Sequence, residues 1–106
     1  MNNDTLYLPI KFEWIEMILP VIKREEYREL KPYWTTRLFN KDGSPKQYKY
    51  ICFHNYKTEW LFYYGGVSVG RGNVQWGAPH DKDVYKIKIG NFIEEGCHIK
   101  SSKKVK

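Results

Sequence analysis

The sequence predicts an α+β fold: a small β-barrel of five or six strands with one main N-terminal helix and a candidate second short helix. Three observations lead there. The chain has 106 residues, a length that suits one domain and one core. One early segment carries apolar residues at helical spacing, whereas most later apolar stretches alternate or are rich in β-formers. Clusters of Gly, Pro, Asn and Asp separate those stretches and mark turns.

Taken in order, Thr5 to Pro9 reads as an opening strand. Lys11 to Leu19 places Phe12, Ile15, Ile18 and Leu19 on one helical face. Pro20 disfavours helix at the residue before it and has no N–H to donate, so the helix is expected to end at about Leu19. Glu25 to Leu30 returns as a strand, Lys31-Pro32 breaks it, and Tyr33 to Phe39 offers one or two helical turns. Asn40-Lys41-Asp42-Gly43-Ser44-Pro45 is a loop. Tyr48 to His54 and Trp60 to Tyr64 are aromatic, β-branched strand candidates. Gly65-Gly66 suggests a bulge or bend before Val67 to Val69. Gly70 to Pro79 reads as a shaped loop, with Val74-Gln75-Trp76 between glycines. Val84 to Phe92 alternates, Tyr85, Ile87 and Ile89 on one side and Lys86 and Lys88 on the other, as a half-buried strand does. Residues 1–96 are expected to form the domain. Residues 97–106, with Lys100, Lys103, Lys104 and Lys106 and no apolar periodicity, are expected to be a disordered basic tail.

Composition narrows the function. Eighteen Lys and Arg against twelve Asp and Glu give a formal charge of +6 and a pI near 9.3, a balance that favours phosphate-bearing partners. Aromatic residues make up 17% of the chain, enough to leave rings outside the core. The apolar runs fall well short of the roughly 20 residues of a transmembrane helix, so a membrane partner is not expected. Two cysteines and no apolar leader point to the cytoplasm. His54, His80 and His98 lie far apart, and no metal or cofactor is expected.

Lys23-Arg24-Glu25-Glu26-Tyr27-Arg28 concentrates charge where the chain leaves helix for strand. The two-residue period of a strand puts Glu26 and Arg28 on one face, and Lys23 can join them from the preceding loop. Here the sequence resembles the ASCH family of the PUA-like superfamily, whose mark is a Gly-x-Lys-x-x-Glu-x-Arg motif directly after the first helix. Lys23, Glu26 and Arg28 match it, and the flanking Ile10 to Leu38 stretch and the Gly-rich Gly70 to Pro79 segment are also similar to small bacterial and phage ASCH proteins. Val21 stands where the motif has Gly, and Val resists the left-handed backbone that Gly adopts at a helix end.

The resemblance implies a PUA-like barrel with a cleft beside the first helix, lined by the motif side chains. It implies binding of RNA or a nucleotide, with a plain or modified base held by Lys23, Glu26 and Arg28, of which Lys23 and Arg28 are read as cleft-rim charges. Tyr33, Trp34, Arg71 and Trp76 are the candidates for stacking or for closing the cleft, Trp76 from a flexible loop. Catalysis stays open as an alternative, as a nucleoside amidohydrolase or ribonuclease of ASCH type with Lys23 and Glu26 as the catalytic pair. The family's acetylcytidine amidohydrolases carry Thr where Glu26 stands, and their downstream Glu has no aligned counterpart here. A second alternative is a phage-type protein that acts by protein contact.

Overall fold

The computed structural model describes residues 4–56 and 58–96, so the expected basic tail at 97–106 lies outside the described residues. Seven elements and a single 3-10 turn follow the order of the sequence: β1 (Thr5–Pro9), α1 (Phe12–Ile18), β2 (Glu25–Arg28), α2 (Pro32–Leu38), β3 (Tyr50–His54), β4 (Glu59–Gly70), the 3-10 turn Val74–Trp76, and β5 (Val84–Glu95). The five strands form one sheet in the order β1-β3-β4-β5-β2, with β1 and β3 parallel and the other neighbours antiparallel. The sheet curls into a half-barrel, and with its two helices this is a small α+β fold.

Alternation accounts for the inner face. Leu6 and Leu8 of β1, Ile51 and Phe53 of β3, Phe62 of β4, and Tyr85, Ile87 and Ile89 of β5 are buried in one cluster with Ile15 and Ile18 of α1 and Leu38 of α2. Each such side chain contributes about 1.5–3 kcal/mol when fully buried. Lys86 and Lys88 lie on the other face of β5, as the alternation predicts.

Two expectations change. Phe12 is 58% exposed and Leu19 is 37% exposed, so α1 buries only Ile15 and Ile18. With seven residues, or about two turns, the helix meets the core through one narrow stripe, Ile15 and Ile18, which leaves its first residue, Phe12, and the residue after its end, Leu19, overhanging. The stretches Trp60 to Tyr64 and Val67 to Val69 are one strand, β4, because the Gly65-Gly66 irregularity bends the pairing without ending it. The register against β5 slips between Leu61 and Val67, and Gly66 has φ +106°, a conformation open chiefly to glycine.

β1 and β2 are the two edge strands. Arg28, the last residue of β2, reaches across to Pro9, the last residue of β1: its Nη2 donates to the Pro9 carbonyl at 2.6 Å. The gap between the edges narrows there, and the candidate site occupies it.

Candidate functional site

The turn after α1 sets the site. Val21 N–H bonds to Ile18 O and Ile22 N–H to Met17 O, the paired bonds of a Schellman motif, and Lys23 N–H also bonds to Met17 O. Such a motif needs a left-handed residue just past the helix, and Val21 supplies it with φ +66°. The valine takes a left-handed conformation that glycine usually supplies at a helix end, against its own steric preference.

This turn directs Lys23 inward. The residue is only 2% exposed, so it is no rim charge, contrary to the sequence reading. Its Nζ donates to the Trp76 carbonyl, lies 3.2 Å from Glu26 Oε1, and sits 5.1 Å and 4.9 Å from the ring centroids of Trp14 and Tyr27. Burial pushes the Lys23 ammonium below its usual pKa, and the opposing charge of Glu26 limits the fall. Glu26 Oε1 makes no hydrogen bond of good geometry, so its attraction to Lys23 is chiefly coulombic. The other carboxylate oxygen, Oε2, accepts from Arg28 Nη1. That nitrogen also donates to Tyr27 O at 2.7 Å, and Trp34 lies under the guanidinium at 5.1 Å. Lys23, Glu26 and Arg28 are therefore brought together as an alternating positive–negative–positive row, the arrangement that makes buried charge tolerable.

Beside the row lies a cleft of about 320 Å³, lined by Pro9, Ile10, Lys11, Trp14, Glu26, Tyr27, Arg28, Trp76 and Gly77. Three of these residues are aromatic. The loop that carries Trp76 is pinned rather than flexible: Asn73 N–H donates to Tyr27 Oη at 2.9 Å, and the Trp76 carbonyl takes the Lys23 ammonium. Its glycines fit the docking closely. A Cβ on Gly72 would stand 2.5 Å from the Tyr27 ring, and Gly77, at φ +105°, packs against Trp14.

The remaining candidates lie elsewhere. Trp34 reaches the site only through Arg28 and otherwise packs on the core. Tyr33 is exposed on α2, outside the cleft lining, with the Arg37 guanidinium 3.6 Å from its ring centroid. Arg71 is exposed, 3.5 Å from Asp83 Oδ1, and donates to the His80 carbonyl, so it does not line the cleft.

Sequence reasoning passed over Lys11, Trp14 and Tyr27 as cleft residues. Trp14 carried a signal, a large ring beside the Ile15/Ile18 stripe of α1 but off it. Tyr27 carried none, because strand parity places it on the face opposite Glu26 and Arg28. Lys11 carried none.

Chemically, Lys23 is buried away from the cleft, and Arg28 directs N–H groups to Glu26 Oε2, Tyr27 O and Pro9 O. An ionised carboxylate offers about four acceptor positions, and Lys23 and Arg28 do not fill them all at Glu26. What the cleft offers is thus a carboxylate at Glu26, itself only 6% exposed, the Arg28 guanidinium, aromatic residues, and the exposed cation Lys11. No family model matches this chain, and no curated protein or solved structure matches it either.

Proposed function

We propose that the protein binds RNA or a nucleotide by holding one nucleobase, plain or modified, in the cleft between its sheet edges. The observation that carries this reading is the convergence of an anchored carboxylate, Glu26, with Trp14, Tyr27 and Trp76 in one small cavity with a cation, Lys11, at its edge. A base offers N–H donors at its edge and flat faces to aromatic rings, and its phosphate seeks a cation. The cleft beside the first helix, bordered by Glu26 and Arg28, agrees with the resemblance to the ASCH family and its PUA-like barrel. Catalysis with Lys23 as base is the weaker reading, because its side chain is 1% exposed and a general base must come within hydrogen-bond reach of its substrate.

The test is a titration at one fixed low salt concentration against single-stranded RNA, duplex RNA, single-stranded DNA and a panel of modified nucleosides, scoring both binding and product. Saturable binding without product is expected. Glu26→Gln, which keeps the shape but adds an amide donor, is expected to change the ranking among bases more than the affinity for the best one. Absence of saturable binding would sink the proposal, and turnover of an acylated nucleoside would replace it with the amidohydrolase reading.

A further inference from the structure

The cleft does not stop at Lys11. A second cavity, of about 400 Å³, shares Pro9, Ile10 and Lys11 with it and runs on to His54, Asn55 and Tyr56. A third, of about 450 Å³, shares those last three residues and ends against Glu59 and Glu95. The shared linings place the three end to end along one groove-like path, and Ile10 N–H, bonded to His54 O at 2.9 Å, continues the β1–β3 pairing past Pro9, so these two residues are neighbours on one surface. Tyr56 is 92% exposed, the most open large side chain along the groove.

Resting on the reading of the cleft as a base site, we propose that this groove takes the neighbouring nucleotide, so that the ligand is a single-stranded oligonucleotide rather than a free nucleoside or mononucleotide. A lone nucleoside would occupy the cleft and leave the groove unused. Lys11 belongs to both cavities and is exposed, which places a cation where the phosphate linking two nucleosides would pass. Beyond it, the Tyr56 ring offers a stacking surface that any base can use. Glu95, exposed at the far end, repels phosphate, which limits the run to about two nucleotides.

The experiment compares affinities of the full chain for nucleoside monophosphates, dinucleotides and tetranucleotides of adenosine, guanosine, cytidine and uridine, at one fixed low salt concentration. Wild type, Tyr56→Ala and Trp76→Ala are measured side by side. The dinucleotide of the preferred base is expected to bind about tenfold tighter than its monophosphate, the lower part of the range for one stacked base. Tyr56→Ala is expected to remove that advantage, while Trp76→Ala weakens monophosphate and dinucleotide alike. Tyr56 is a surface residue, so its loss leaves the core intact. Equal affinity for monophosphate and dinucleotide, with Tyr56→Ala matching wild type, overturns the groove and leaves the cleft standing. A further tenfold gain on going to the tetranucleotide overturns the boundary at Glu95. If no nucleotide of any length binds, cleft and groove fall together.

Discussion

At the scale of single residues, Val21 and Lys23 hold two costs that the rest of the structure offsets. A β-branched residue at φ +66° carries strain of about 1–3 kcal/mol, held in place by the Schellman bonds around it. Val21→Gly relieves the strain but loosens the unfolded chain, and the expected net gain is about 1 kcal/mol. Urea melts of the two proteins check this, and an unchanged or lower midpoint would show that the turn is not strained. Lys23 is the opposite case. Lys23→Met leaves the buried Glu26 with Arg28 alone, and a loss of about 3 kcal/mol is expected, the lower end of the range for breaking a buried ion pair. Adding Glu26→Gln to Lys23→Met is expected to return part of that loss. If the double variant is no more stable than the single one, the two side chains are not coupled.

At the scale of elements, the Gly70 to Pro79 loop is held by β2 and α1 rather than by its own hydrogen bonds alone. Gly72→Ala forces a methyl group to within 2.5 Å of the Tyr27 ring, which cannot retreat freely because its hydroxyl donates to Glu25 and accepts from Asn73. Overpacking of this kind costs about 1–3 kcal/mol. The variant is expected to melt earlier and to bind nucleotides more weakly, since Trp76 moves with the loop; unaltered melting and binding would mean that the loop floats free of Tyr27. The elements themselves were legible because each rests on local signals: the alternation of β5, the Pro20 stop after α1, and the Pro32 start of α2. The inward turn of Lys23 was not legible. It depends on a carbonyl 53 residues away, at Trp76, and a charged side chain on its own reads as solvent-facing. The motif spacing did bring Lys23, Glu26 and Arg28 together, because two-residue parity and a short turn are also local. Arg71 and Tyr33 fell outside the cleft because nearness along the chain says little about direction once a helix or a ten-residue loop intervenes.

At the scale of the whole molecule, the aromatic content shapes the response to alkali. Burial pushes the hydroxyls of Tyr27 and Tyr64 up to about 12, from an ordinary value of 10.0. Between those values the unfolded chain releases protons that the folded one keeps, so stability falls as pH rises from 10 to 12. Lys23 acts in the other sense. Its folded pKa lies below 10.5, so its unfavourable contribution is full below that folded value and fades as pH climbs toward 10.5. Urea midpoints taken from pH 9 to pH 12, steps chosen to bracket about two units around the tyrosine range, are expected to fall steeply only above 10. Tyr64→Phe is expected to soften the fall, because it removes one of the two raised hydroxyls, and that hydroxyl has no hydrogen-bond partner among the described residues to lose; an identical profile for Tyr64→Phe would assign the alkaline loss to other groups. The Arg28 contact with Pro9 bears on how copies of the chain treat one another. An open sheet has two unpaired borders, and each is a template on which a foreign strand can add. Here the two borders converge, and a guanidinium fastened to both occupies the gap, so an intruding strand must first evict it. The same side chain that lines the cleft thereby also stands against edge-to-edge strand addition between copies of the chain.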